Sequence, residues 1–184
     1  MSLTYSKMLP LGTKLPSFNL SNVLTGDDFS SSSLSNDCGK VIMFICNHCP
    51  YVIHYHDELV NLIKEYGNKN LEFVAISSND VENYPQDSPE NMKILFSDLG
   101  LTIPYLYDET QEIAKNYMAE CTPEFYLFDK NDSLIYRGRL DDSSPGNGRP
   151  ISGQDLRSAI ENFLLGVSID KEQIPSMGCN IKWK

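Results

Sequence analysis

The sequence predicts an α/β domain whose mixed β-sheet is covered by helices on both faces. Three observations carry this. Strand-like apolar runs alternate with stretches of helical period, in the order β, α, β, α, β, α, β-hairpin, α. One run, Val41 to Ile45, is apolar without interruption and rich in β-branched residues, which fits a strand buried on both faces. The last two strands are separated only by a short polar turn, so they pair antiparallel and make the sheet mixed. The chain has 184 residues, which reads as a single domain over 1–184 with room for a full core.

Taken in order, Leu15 to Leu20 reads as a short edge strand interrupted by Pro16. Thr25 to Lys40 is polar and serine-rich, a loop with at most one helical turn around Leu34. After the Val41–Ile45 strand the period turns helical from about Pro50 to Tyr66. Val52, Tyr55, Leu59, Leu62, Ile63 and Tyr66 lie on one face and Gly67 is the stop. Leu71 to Ser77 is the second strong strand, and Asn79 to Asp87 is a polar loop.

Ser88-Pro89-Glu90 opens a helix with an N-cap, a proline at the first position and an acid in the first turn. Its inward stripe is Met92, Leu95, Phe96 and Leu99, and Gly100 ends it. Ile103 to Tyr107 is a short strand. Asp108 to Gln111 resembles a capping box for a helix with Ile113, Ala114, Tyr117 and Met118 inward.

Thr122-Pro123 leads into the strand Glu124–Phe128, Asp129 to Ser133 is a turn, and Leu134 to Leu140 is the return strand. Asp141 to Pro150 is a loop. Ser152 to Asp155 caps a final helix with Leu156, Ala159, Ile160, Phe163 and Leu164 inward and Gly166 at its end. The tail, residues 167–184, has no clear period, yet its Ile174, Met177, Ile181 and Trp183 are too apolar for a solvated terminus. It is expected to pack on the domain, with Trp183 burying the largest area.

The net charge of −10 argues against a nucleic-acid binder, which needs a basic face. No run of 18 apolar residues is present, so no membrane span is expected, and Met1 to Pro10 has no apolar core of a secretory signal. Five cysteines, an odd number, suggest a reducing compartment such as the cytoplasm.

The chemistry converges on Cys46-Asn47-His48-Cys49-Pro50, directly after the buried strand. A helix starting at Cys46 would set its sulfur against unpaired N–H groups and the positive end of the dipole, favouring the thiolate. Pro50 suits a first turn, and a protonated His48 would lower the thiol pKa further. The motif reads as a redox dithiol. The bland alternative is a pair of packed thiols. A metal site using Cys46, Cys49 and His54 or His56 is the other, although a second matched pair of ligands is missing. His54 and His56, beside Asp57 and Glu58, read as a solvated helix face. Tyr84 and Tyr105 read as packing, Arg137 and Arg139 as surface charges, and Cys38 carries no role.

A Cys-x-x-Cys at a strand-to-helix junction, with Thr122-Pro123 before a late strand, resembles the thioredoxin fold. That implies a three-layer α/β/α sandwich with a central mixed sheet, a cis bond before Pro123, and the Thr122 backbone available to pair with a substrate peptide. Cys121 would then lie near the dithiol. The whole chain is similar to the peroxiredoxin-like branch of the alkyl hydroperoxide reductase/thiol-specific antioxidant (redoxin) superfamily. The stretches that carry this are Cys-Asn-His-Cys-Pro-Tyr-Val (46–52), Ile-Ser-Ser-Asn-Asp (76–80), Pro-Tyr-Leu-Tyr-Asp-Glu-Thr-Gln (104–111), Cys-Thr-Pro-Glu-Phe (121–125), Tyr-Arg-Gly-Arg (136–139) and Gly-Cys-Asn-Ile-Lys-Trp-Lys (178–184). By that resemblance a peroxidatic cysteine would fall at Cys49. The usual Thr/Ser is replaced by Cys46, the usual proline by Ile42, and Pro123 falls near the usual arginine. The thioredoxin acid is also missing from Val41 to Ile45.

The expected function is therefore a thiol–disulfide oxidoreductase. Cys46 attacks, Cys49 resolves, His48 tunes Cys46, and Thr122 and Pro123 shape the groove. No organic cofactor or metal is implied, and the partners would be protein or small-molecule disulfides or peroxides with an unnamed electron donor. The alternatives are a thiol peroxidase using Cys49, or a non-enzymatic redox-sensing or metal-holding module. Cys179 stays open between a packed thiol and a further exchanging one.

Overall fold

The computed structural model describes residues 3–184; residues 1 and 2, counted in the expected domain, lie outside them. In chain order the elements are β1 (Leu3–Tyr5), β2 (Asn19–Asn22), β3 (Asp28–Ser30), β4 (Gly39–Phe44), α1 (Pro50–His54), α2 (His56–Tyr66), β5 (Leu71–Ser77), α3 (Pro89–Leu99), β6 (Tyr105–Tyr107), α4 (Glu112–Asn116), β7 (Cys121–Thr122), β8 (Glu124–Phe128), β9 (Leu134–Gly138), α5 (Gln154–Leu165) and β10 (Met177–Asn180).

Seven strands form the central sheet in the order β3-β2-β6-β5-β4-β8-β9. β4 pairs parallel with β5 and antiparallel with β8, and β5 pairs parallel with β6, so the sheet is mixed. Side chains alternate across each strand. Val41 and Met43 of β4 face one core with Leu59 and Leu62 of α2, Phe96 of α3 and Ile160 of α5. Ile42 and Phe44 face the other with Ala114 of α4, Tyr117, Leu9 and Phe18. An uninterrupted apolar β4 is what a strand with a core on each side needs. The result is the thioredoxin-like α/β/α sandwich.

Helix α3 starts and stops as its residues dictate. Ser88 caps it by accepting from the Asn91 N–H, Pro89 opens it, and Gly100 closes it at φ 65, in the left-handed region where glycine is least strained. Other elements depart from the sequence expectation. The helix expected from Pro50 to Tyr66 breaks at Tyr55 (φ −100, ψ 2) into α1 and α2. The expected capping box is absent: the Asp108 carboxylate accepts from the N–H groups of Ile113 and Ala114, five and six residues on, and Gln111 sits at φ 63. Met118, expected inward, is exposed, because its own φ of 52 turns the chain out of α4. The expected edge strand at Leu15–Leu20 starts four residues later as β2, in a hairpin with β3, and only β3 falls inside the stretch expected as loop.

A second sheet, β1-β10-β7, has no counterpart in the sequence reading. β10 lies between the other two, antiparallel to both, with Cys179 opposite Leu3 on one side and Thr122 on the other. Beyond it the tail is tied down by polar bonds. The Lys182 N–H donates to Asn79 Oδ1 at 2.8 Å, and the Gln111 side chain accepts from the Lys184 N–H at 2.9 Å. These bonds and the burial of Ile181 in the second core hold this end, whereas Trp183 is 37 % exposed rather than the largest buried surface.

Candidate active site

The loop from Cys46 to Cys49 is shaped by an acid the sequence did not single out. Asp87 is fully buried and its carboxylate accepts from the Asn47 N–H (2.8 Å), the His48 N–H (3.2 Å), His48 Nδ1 (2.6 Å) and Asn79 Nδ2 (2.8 Å). Wrapping residues 47 and 48 around a carboxylate forbids helical bonding there. The helix therefore begins at Pro50 with Cys49 as its N-cap, not at Cys46. This corrects the expectation for Cys46: the helix start acts on Cys49.

Thr122, joined to Pro123 by a cis peptide bond, touches both sulfurs. Its hydroxyl is 3.4 Å from Cys46 Sγ, and its carbonyl accepts from the Cys49 thiol at 3.1 Å. Cys46 and Cys49 are 1 % and 0 % exposed. A third sulfur completes the group. Because β10 pairs with β7, Cys179 stands opposite Thr122 and its thiol bonds to Cys49.

These neighbours set the protonation. The Cys49 thiol is held well below the ordinary range by hydrogen bonds from Cys179, then from Cys46, with help from Thr122 and the Val52 N–H, against the opposing effect of burial. The Thr122 carbonyl favours the neutral thiol, since a thiolate cannot donate to it, but the several donors outweigh that one acceptor. Cys46 is pushed far up by its bond to Cys49, by burial and by the Asp87 charge. Cys179 is pushed up by Cys49 and by burial, partly relieved by Lys182 and the Tyr51 N–H. Of the three sulfurs, Cys49 is the one whose neighbours favour the thiolate.

His48 faces Asp87 through Nδ1 and stacks on Tyr84 at 5.5 Å between centroids. Its ring interacts with the carboxylate rather than capping a sulfur. Tyr105 reaches the same loop through its hydroxyl, 3.3 Å from Asn47 Oδ1. Cys121, expected near the dithiol, is near enough for the Cys49 charge to help raise its thiol, but its hydrogen bond goes to Glu124. Its sulfur lies 3.8 Å from Glu124 Oε2, and burial together with that carboxylate pushes its thiol up. Glu124, itself fully buried and raised by desolvation, also accepts from the Ser6 hydroxyl and from the N–H groups of Glu120 and Cys121. An acid set inside the apolar run Glu124–Phe128 was the signal for it; Asp87 had none, being one of several acids in a polar loop.

His54 and His56 are half-buried, not on a solvated face. His54 Nε2 bonds Ser143 Oγ at 3.0 Å, and neither histidine joins the cysteines. The residues that do converge as potential metal ligands are Cys46, His48 and Asp87, one atom each, all within 4.8 Å of one another. Three ligands with a buried thiol match an incomplete tetrahedral site at most.

The Redoxin family model matches residues 10–151. A solved structure of an uncharacterized conserved protein from Geobacillus kaustophilus is 52 % identical with a TM-score of 0.97, covering 100 % of this chain and 97 % of its own. A hypothetical protein from Sinorhizobium meliloti is 37 % identical with a TM-score of 0.95, covering 98 % of each chain. The thioredoxin domain of a thiol-disulfide oxidoreductase from Bacteroides vulgatus is 14 % identical with a TM-score of 0.66, covering 85 % of this chain and 99 % of its own, a likeness of fold. No curated protein matches the sequence.

Proposed function

Since the chain belongs to the redoxin family, we propose that it is a thiol–disulfide oxidoreductase working through Cys46 and Cys49. The observation that carries this is the Cys49 sulfur at the start of α1, receiving donors from Cys46, Cys179 and the Val52 N–H. A thiolate so held attacks a disulfide R–S–S–R′, forming Cys49–S–S–R and releasing R′–S⁻. The Cys46 thiol then gives up its proton and attacks the Cys49 sulfur. R–S⁻ leaves, and the protein holds the Cys46–Cys49 bridge. This reading exchanges the roles expected from the sequence: in it Cys49 attacks and Cys46 resolves. The Thr122 hydroxyl is positioned to accept the Cys46 proton bond as that thiol turns toward Cys49.

Closure of the site favours a second reading. With both sulfurs buried and the Thr122 edge taken by β10, a small oxidant reaches Cys49 more readily than a folded protein does. A hydroperoxide would convert Cys49 to the sulfenic acid, and Cys46 would displace water to give the same bridge. The odd count of five cysteines supports a reducing compartment, the cytoplasm, for either activity.

Stopped mixing of the reduced protein with oxidised glutathione and, separately, with hydrogen peroxide tests both. We expect faster bridge formation with the disulfide, and a Cys49 rate that stays flat with pH below the ordinary thiol range. A faster peroxide reaction makes the peroxidase reading the right one. Failure of Cys49 to react with either oxidant overturns the proposal.

A further inference from the structure

The strand β10 occupies the backbone edge at Thr122, the edge that the fold resemblance reserves for a substrate peptide. Its approach is unusually close. A Cβ on Gly178 would stand 2.0 Å from the Thr122 carbonyl oxygen and 3.4 Å from Pro123 Cδ, so only glycine lets the strand lie there. Register then fixes Cys179 opposite Thr122, whose carbonyl is 3.1 Å from Cys49 Sγ. α1 also packs on β10, and the Tyr51 N–H is directed at Cys179. Cys179 is 4 % exposed, so it is sheltered from outside thiols and oxidants while seated against the reactive sulfur.

From this geometry we propose that β10 holds the place of a substrate strand and that Cys179 is a third exchanging thiol, which takes the disulfide from Cys46 by attacking Cys49. The inference rests on the dithiol reading above. In the step, the Cys179 thiol gives up its proton and its sulfur attacks Cys49. The Cys46–Cys49 bond breaks, the Cys49–Cys179 bond forms, and the electron pair and proton end on Cys46. No outside oxidant is consumed, because the bridge already present supplies the oxidising equivalent. Strand pairing makes the attack intramolecular, which raises the effective concentration of the Cys179 thiol far above that of a free thiol in solution. Cys49 then belongs to two alternative bridges, one within the loop and one that staples β10 to α1.

The test uses the full chain. Reduced wild-type and Cys46→Ser proteins receive one equivalent of oxidised glutathione, are quenched in acid and alkylated, and their bridges are mapped by mass spectrometry. In Cys46→Ser we expect a Cys49–Cys179 bridge with two glutathione molecules released per protein. In the wild type we expect that bridge beside Cys46–Cys49. A persistent Cys49–glutathione adduct with Cys179 alkylated overturns the inference and leaves the dithiol reading standing. No disulfide of any kind at Cys49 overturns both. Gly178→Ala supplies a variant that keeps every sulfur. It should lose most of the Cys49–Cys179 bridge and retain Cys46–Cys49, and an unchanged share of Cys49–Cys179 overturns the role given to β10.

Discussion

Cys49 and Cys121 are equally buried, lie within electrostatic reach of one another, and hold their protons with opposite strength. Cys49 meets the thiols of Cys179 and Cys46 and the Val52 N–H, which donate and together outweigh the one neutral acceptor, the Thr122 carbonyl. Cys121 meets the Glu124 carboxylate, which accepts. Desolvation opposes the thiolate in both places, so burial cannot be what separates them. The difference is the direction of the neighbouring hydrogen bonds. A thiol among donors is ready to attack; a thiol beside an acceptor is a packed hydroxyl-like group with a larger atom.

Removing the two sulfurs separately should break the comparison most sharply. Cys49→Ser should reduce exchange with oxidised glutathione by at least about a thousandfold, the scale of losing a nucleophile. Cys121→Ala should stay within about twofold of wild type. Comparable losses in the two variants would end the distinction.

The acceptor side can be tested through stability. Glu124→Ala leaves the Ser6 hydroxyl and the Glu120 and Cys121 N–H groups without their partner, and should cost about 3 kcal/mol in denaturant unfolding. A cost below about 1 kcal/mol would mean that water replaces the carboxylate there.

The two directions also appear in the pH dependence of the reduced protein. Cys49 loses its proton more readily when folded. Below the ordinary thiol value of about 8.5 the unfolded chain holds a proton the folded one lacks, so this thiol makes stability rise with pH. Cys46, Cys179 and Cys121 hold theirs more tightly when folded. Above about 8.5 the unfolded chain sheds protons the folded one keeps, and stability falls. Measured against wild type, Cys49→Ser should lose part of the rising limb, weaken the share of the falling limb that Cys46 and Cys179 owe to Cys49, and keep the share that Cys121 supplies. Superimposable profiles would show that Cys49 titrates as an ordinary thiol.

The smallest effect sharpens the bland half of the comparison. Cys121→Ala removes one fully buried sulfur and should cost about 1 kcal/mol. Chemical denaturation of the reduced proteins checks it.

What could be read from the sequence follows the range of the forces involved. Strand β4 and helix α3 were legible because their apolar runs, caps and stops are local. β1, β3, β7 and β10, two to four residues each, were not, because each forms only against a partner, and β10 meets one near the start of the chain and one at residues 121–122. The same applies at the site. The Cys-x-x-Cys announced itself, but the residue that begins the helix was decided by Asp87, some forty positions away, whose carboxylate claims the N–H groups of residues 47 and 48. His48 and Cys121 were within reach as names, and their hydrogen-bond partners were not.

Strand β10 gives the molecule a timetable. A ribosome delivers β4, α1, β7 and β8 well before residues 177–180, and domains consolidate as their parts emerge. The nascent chain therefore has both sulfurs of the Cys-x-x-Cys, and the sheet that carries them, while the edge at Thr122 is still bare. During that interval Cys49 lacks the Cys179 donor and the Thr122 edge lacks its partner strand, so the reactive sulfur acquires its surroundings last.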